Sequence, residues 1–214
     1  MTPSMVTVVL AGGEGRRMGG AKPLRRIGDT TLVGRAVALG RTYSRVVAVA
    51  VRDADQVAGA VDACLLMDDP AIEGPLAGLA SGLDFARRRR AACVLTLPCD
   101  SPCLPDDLAA RLMAALGDGG VAVARSNGRL HPVCALWRTT ALDSLAAYLA
   151  SGRRSLKGFA ATVGMTVIDW SGSNIDVFAN ANTPEDLAAL QPDFGVIAAA
   201  IMKEPRHGLR PLRT

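Results

Sequence analysis

Val6-Thr7-Val8-Val9-Leu10 runs without a break into Ala11-Gly12-Gly13-Glu14-Gly15-Arg16-Arg17-Met18-Gly19-Gly20-Ala21-Lys22, and this junction decides the fold. Val6 to Leu10 is a short, continuous, β-branched run of the kind buried on both faces of a parallel sheet. The glycines that end it let backbone N–H groups come close to anionic oxygens, and a helix after the loop would offer its positive end. Arg16, Arg17 and Lys22 add charge. Lysine occurs only at Lys22, Lys157 and Lys203, so a lysine inside this loop calls for an explanation. The loop is not a Walker A loop, because Lys22 is followed by Pro23 and the spacing fails. Nor is it a dinucleotide fingerprint. Gly13, Gly15 and Gly19 are one residue too widely spaced, and no acid ends the second strand at Val51 to hold a ribose. On glycine content alone, an ordinary βα loop remains as good a reading.

Outward from this junction, strands and helices alternate. The spacing predicts a helix over Thr31 to Tyr43 with Thr30 or Thr31 as N-cap, a strand over Val46 to Val51 and a helix over Asp53 to Val61. Next come a strand at Cys64 to Met67, a helix at Leu76 to Arg88 opened by Gly74-Pro75, and a strand at Cys93 to Leu97. A further helix at Pro105 to Leu116 is stopped by Gly117-Asp118-Gly119-Gly120. Such alternation argues for right-handed βαβ crossovers. The second half differs. Val121 to Arg125 and Leu130 to Trp137 flank the hairpin signal Ser126-Asn127-Gly128 and should add antiparallel strands. Helices follow at Thr140 to Ala150 and Leu156 to Val163, a strand at Thr166 to Trp170, and a helix at Pro184 to Leu190 capped by Thr183. The expected fold is α/β: a Rossmann-like, mostly parallel sheet with flanking helices and added antiparallel strands in the C-terminal half. Residues 1–191 read as one domain and 192–214 as a C-terminal tail, with a short docked helix at Phe194 to Met202 and a mobile end.

With 214 residues, 50% of them hydrophobic and 21% charged, disorder and fibrous structure are excluded. The net charge of +4 is spread among acids, which suits small anionic ligands better than nucleic acid. Five cysteines, mostly in apolar runs and without metal-ligand spacing, suit a reducing compartment and packing roles. No leader-like start or membrane-length apolar run is present in the sequence. We therefore expect a cytoplasmic monomer with no nucleic-acid or membrane partner.

Three expected strands end in polar or glycine-rich segments: Leu10 in the loop above, Met67 in Asp68-Asp69, and Leu97 in Pro98-Cys99-Asp100. In an open parallel sheet, carboxyl ends share one edge and ligands bind in the crevice there. Asp100 could hold Mg²⁺ already carried by a nucleotide's phosphates, or cap the turn before Ser101-Pro102. Asp69 could take a base or ribose donor, though Asp68-Asp69-Pro70 is equally turn chemistry.

Leu10-Ala11-Gly12-Gly13, with Arg17-Met18-Gly19-Gly20 and Lys22, resembles the signature loop of the nucleotidyltransferase family that includes molybdenum cofactor guanylyltransferases. Gly74-Pro75-Leu76-Ala77-Gly78, Pro98-Cys99-Asp100-Ser101-Pro102, His131-Pro132 and Asn180-Ala181-Asn182-Thr183-Pro184-Glu185 are similar to that family's other motifs, in order, across most of the chain. The resemblance implies a nucleotide-diphospho-sugar transferase-like fold and transfer of GMP from GTP to molybdopterin-bound molybdenum, giving the guanine dinucleotide cofactor and pyrophosphate. Under it, Leu10, Ala11, Gly12 and Gly13 meet the nucleotide through backbone, Arg17 and Lys22 neutralise phosphates, and Asp100 holds Mg²⁺. Asp69 binds sugar or base, and Asn180 and Asn182 bind the acceptor. The arginine-rich tail past Gln191 lies outside the resemblance and could make transient contact with cofactor-inserting proteins or molybdoenzymes. Leu-Ala-Gly-Gly, rather than the Leu-Ala-Ala-Gly of related cytidylyltransferases, implies guanine. Val49 departs from the pattern, since members often carry asparagine there near the nucleotide. The alternatives are a cytidylyltransferase or sugar-phosphate nucleotidyltransferase with the same mechanism, a dinucleotide-dependent oxidoreductase, and a noncatalytic nucleotide-binding regulator.

Overall fold

A computed structural model of the chain describes residues 3–13, 20–171 and 176–191. Strand β1 (Met5–Leu10) leads to a single 3-10 turn (Lys22–Leu24) and a small hairpin of β2 (Arg26–Ile27) and β3 (Thr30–Thr31). Then follow α1 (Leu32–Tyr43), β4 (Val47–Val51), β5 (Cys64–Met67), α2 (Pro75–Arg88), β6 (Cys93–Pro98) and α3 (Leu108–Ala115). The second half contains β7 (Val121–Ser126), β8 (Arg129–Arg138), α4 (Leu142–Ala150), α5 (Leu156–Thr162), β9 (Met165–Asp169) and a last helix over 184–191.

Seven strands form one sheet in the order β5-β4-β1-β6-β8-β7-β9. β5, β4, β1 and β6 are mutually parallel, β8 is antiparallel to both β6 and β7, and β9 pairs parallel with β7. The expected α/β architecture with antiparallel strands in the C-terminal half is therefore what forms. From β1 the chain goes by α1 to β4 and on to β5 on one side, and α2 then carries it back from β5 to β6 on the other side of β1. This reversal opens a crevice at the carboxyl ends of β1 and β6.

Alternation along each strand sends side chains to two cores. Val6, Val8, Ala50, Val94, Val121, Val123, Ala135 and Trp137 meet α2, α4 and α5 on one face. Leu95, Leu97, Ala122, Ala124 and Leu136 meet α3 on the other, where Val9, Val49 and Val51 pack on α1. The indole N–H in this interior is matched: Trp137 Nε1 donates to Thr96 Oγ1 at 3.1 Å, and that hydroxyl donates to the Ala135 carbonyl at 3.2 Å. Thr31 caps α1 by accepting from Gly34 N–H at 3.0 Å.

One expected element does not form. In place of a helix over Asp53 to Val61 there is a single 3-10 turn, Ala54–Gln56, closed at its start by an Asp53–Gln56 capping box. Val57 is the one fully buried apolar side chain there, so a longer helix would have no apolar face to bury, and Ala58 and Gly59 leave it with φ of 37° and 72°. α3 starts at Leu108 rather than Pro105, because Pro105 heads a turn in which its carbonyl takes the Leu108 N–H. Among the described residues no helix is long and apolar enough to cross a membrane. The expected tail and its short helix lie outside the described residues.

Candidate functional site

Backbone hydrogen bonds continue past the strand ends and align three junctions at one edge. Ala11 N–H donates to Ala50 O at 2.9 Å, Cys99 N–H to Leu10 O at 3.3 Å, and Asp68 N–H to Val51 O at 2.8 Å. Above them lies a cleft of about 370 Å³ whose floor includes Leu10 to Gly13, Lys22, Asp68 and Asp100. β8 supplies the opposite wall, with Arg129 and His131, beside Asn180.

Lys22 stands at the centre. It follows Ala21, held at φ 47°, at the head of the short 3-10 turn. Its ammonium pairs with Asp100 Oδ2 and donates to Asn182 Oδ1 at 3.0 Å, with the Lys22 and Asp100 side chains 13% and 16% exposed. Charge-assisted hydrogen bonds in such a half-dry setting are stronger than surface pairs. The Asn180–Asn182 segment is fastened to the end of β6: Ala181 N–H donates to Asp100 O at 2.8 Å, and Ser101 Oγ to Asn180 Oδ1 at 2.6 Å. Residues 22, 100, 180 and 182, far apart in sequence, thus meet in one place. Leu10, Ala11, Gly12 and Gly13 line the same cleft. Arg17 and its neighbour Arg16 lie outside the described residues.

Asp69 is elsewhere. Its Oδ1 accepts from Ala71 N–H at 2.9 Å in a local turn, and it borders a separate hollow between β5, α2 and α4. The cleft acid is Asp68. Strand β5 ends one residue before it, and its N–H still completes the ladder with Val51, so its side chain goes to the crevice while Asp69 turns away. The carboxylate fits between two glycines: a Cβ on Gly12 would fall 2.4 Å from Asp68 Oδ2, and one on Gly78 3.4 Å from Oδ1. Asp68 Oδ1 is buried with no hydrogen-bond partner among the described residues. Burial raises its carboxyl above the ordinary value, against the pull of the Arg52 charge. An orphaned buried acceptor in a cleft is costly unless a ligand supplies a donor. Two adjacent acids in a turn gave sequence reasoning no signal to choose between them.

Arg52, Arg129 and His131 also line the cleft. Arg52 follows β4 directly, and only the sheet order brings it there. Cys99 packs below the floor, where burial, with the Asp100 charge adding to it, pushes its thiol up to about 12, so it holds its proton as an inert packing group.

Against known proteins, the chain matches the model of the MobA-like NTP transferase domain over residues 7–163. It is 41% identical over 183 residues to a protein of Cereibacter sphaeroides named molybdenum cofactor guanylyltransferase, covering 85% of this chain and 92% of that one. A protein of the same name from Rhodopseudomonas palustris (strain BisB5) is 39% identical over 193 residues, covering 87% of this chain and 92% of that one. Among solved structures, molybdopterin-guanine dinucleotide biosynthesis protein A of Archaeoglobus fulgidus superposes with a TM-score of 0.72 at 19% identity, over 90% of this chain and all of that one (100%). The 2-C-methyl-D-erythritol 4-phosphate cytidylyltransferase of Thermus thermophilus gives 0.65 at 20% identity, over 89% and 99%. These two likenesses carry the fold alone.

Proposed function

Because the chain belongs to the MobA-like NTP transferase family, we propose that it transfers GMP from GTP to the molybdopterin form of the molybdenum cofactor, releasing pyrophosphate. The observation that carries this reading is the position of Lys22, between Asp100 and Asn182 at the point where the strand order reverses. A terminal phosphate oxygen of the acceptor attacks the α-phosphorus of GTP; the new O–P bond forms as the bond to the β-phosphate oxygen breaks, and pyrophosphate leaves with the electron pair. Positioning and charge stabilisation are then the protein's main work.

Each part has a matching group. The backbone at Gly12 and Gly13 approaches the phosphates, Lys22 takes up charge developing toward the leaving pyrophosphate, and Arg17 is assigned to the same task from the sequence alone. Asp68, with Oδ1 awaiting a donor, receives a nucleoside N–H or O–H in the role expected of Asp69. Asn180 and Asn182 orient the acceptor. Nucleotidyltransferases of this family generally depend on a divalent metal, and the donor set fits a cation that arrives with the nucleotide. Among the described residues no cluster of three metal-binding side chains exists, while Asp100 keeps Oδ1 without a hydrogen-bond partner beside the Lys22 pair. One carboxylate plus phosphate oxygens and water is the usual magnesium arrangement. Bound there, Mg²⁺ would supply charge neutralisation at the phosphates.

Incubation of the protein with Mg²⁺, molybdopterin-loaded acceptor and either GTP or CTP, with dinucleotide and pyrophosphate measured, tests substrate and reaction together. Product from GTP alone is expected. Product from CTP would overturn the base assignment, and GTP binding without product would overturn the transfer reaction.

A further inference from the structure

The cleft wall opposite Asp68 contains a connected set that the reaction above does not use. The Nε2 of His131 lies 2.8 Å from Ser126 Oγ, and Ser126 donates to Asp176 Oδ1 at 3.2 Å, an oxygen that also accepts from Phe178 N–H at 3.1 Å. A hydroxyl has one proton. With that proton given to a carboxylate, which can only accept, Ser126 must accept from the imidazole, so this network assigns the hydrogen to Nε2. Burial lowers the His131 pKa, with the Asp176 carboxylate opposing and the Arg129 charge reinforcing the shift, so the ring is neutral at pH 7. A neutral ring with Nε2–H leaves a lone pair on Nδ1, which has no hydrogen-bond partner among the described residues.

The rest of the ring is fixed too. One face stacks on Phe178, with centroids 4.7 Å apart and planes within 14°. The β7–β8 pairing shifts register here: Val123 pairs with Ala135 but the next residue, Ala124, with His131, so β8 carries the extra residues Pro132, Val133 and Cys134, and beyond that point Ser126 pairs with Arg129. Bulges of this kind re-aim side chains next to functional sites. Ser126 itself is 3% exposed, so its hydroxyl serves the two side chains it bonds rather than solvent. The protein thus uses Nε2 and one face of a cleft-lining imidazole, and leaves Nδ1 and the other face.

We propose that His131 is a specificity-determining residue for the acceptor: its Nδ1 accepts a hydrogen bond from a ring N–H or amino group of the acceptor's planar nitrogen heterocycle, with Ser126 and Asp176 as positioning residues that fix the tautomer. His131 shares the wall of β8 with Arg129, whose guanidinium suits a phosphate on the same molecule. The nucleoside end is assigned to Asp68 on the other side of Lys22. The proposal deepens the guanylyl-transfer reading and names the acceptor end of the cleft.

The test compares His131→Gln, His131→Asn and Ser126→Ala with wild type in the full chain. Glutamine can still reach Ser126 but offers nothing at the Nδ1 position, whereas the asparagine amide oxygen occupies it. His131→Gln should raise the acceptor KM about three- to tenfold, the scale of one neutral hydrogen bond, with the GTP Kd unchanged. His131→Asn should recover most of the loss, and Ser126→Ala should fall between. Equal acceptor KM values, or a GTP Kd that moves as far as the acceptor KM, would overturn the proposal. A second arm titrates the intrinsic fluorescence of 6-hydroxymethylpterin without GTP. Weaker binding by His131→Gln than by wild type supports the acceptor contact even if the transfer assay gives no dinucleotide, which separates this inference from the function on which it rests. Equal binding in that arm, or none by wild type, overturns it.

Discussion

At Gly12 a single hydrogen atom stands where any other residue would push a carbon to 2.4 Å from the Asp68 carboxylate. Gly12→Ala therefore drives Asp68 out of the cleft, and the expected result is at least a tenfold weaker GTP Kd by calorimetry with little change in far-UV CD. The cost of keeping Asp68 there is visible in its raised carboxyl. A carboxyl whose folded pKa lies above its unfolded 3.8 holds its proton more tightly when folded. Its penalty is absent below the unfolded pKa and grows as pH rises through the folded value. Asp68→Asn removes that penalty, so without nucleotide its thermal midpoint at pH 7 should be no lower than wild type, while nucleotide affinity falls. Loss of stability together with unchanged affinity would show Asp68 to be structural. For Lys22→Ala the expected fall in kcat/KM for GTP is roughly 10²–10³, the usual loss when one placed charge donor is removed. The thiols give a simpler check. Burial pushes Cys93, Cys99 and Cys134 up and Cys103 is buried, whereas Cys64 is exposed. A native thiol titration should therefore count one fast cysteine, rising to five in denaturant.

Elements formed where a repeating pattern had a surface to meet. α1 was legible because Leu32, Val33, Ala36, Val37 and Leu39 recur on one face and Thr31 stands at its start, and both the buried face and the cap are present. Replacing Thr31 by alanine should cost about 1 kcal/mol, or about 2–4 °C in thermal midpoint for a chain of this size. The segment after β4 was misread for the opposite reason. Its periodic residues were alanines and valines, and propensity without a face to bury does not sustain a helix. α2 shows a subtler case: Gly78 and Gly82 sit one turn apart, where a Cβ would fall 2.9 Å from Leu10 and 3.1 Å from Val8. The helix can thus lie close on β1 and help shape the floor under the Gly12 loop. Nothing in the sequence pattern distinguished those glycines from ordinary helix-weakening ones.

At the scale of the molecule, the cleft joins groups from both ends of the chain, so binding there should stabilise the fold as a whole. GTP at about a hundred times its Kd contributes about 2.7 kcal/mol, which predicts a rise in melting temperature of roughly 5–10 °C. Asn182→Ala should reduce acceptor use while leaving most of that GTP shift, because Asn182 Oδ1 supports Lys22 from the acceptor side. A full loss of the shift would move Asn182 to the nucleotide.

By itself, the sequence determined the strand that enters the glycine loop, the alternation that forces parallel crossovers, the hairpin at Ser126-Asn127-Gly128, and the motif set around Lys22, Asp100, Asn180 and Asn182. These are local: periodicity, turn chemistry and residue type are readable within a window of a few residues. Tertiary structure alone decided that Asp68 rather than Asp69 faces the cleft, that Arg52 and Arg129 border it, and that Ser126 and Asp176 reach His131. The side to which an acid at a strand end turns depends on which residue completes the ladder with the neighbouring strand. The neighbours of His131 depend on a bulge in β8 where it pairs with β7. Both are set by pairing between segments distant in the chain, and no local pattern encodes them.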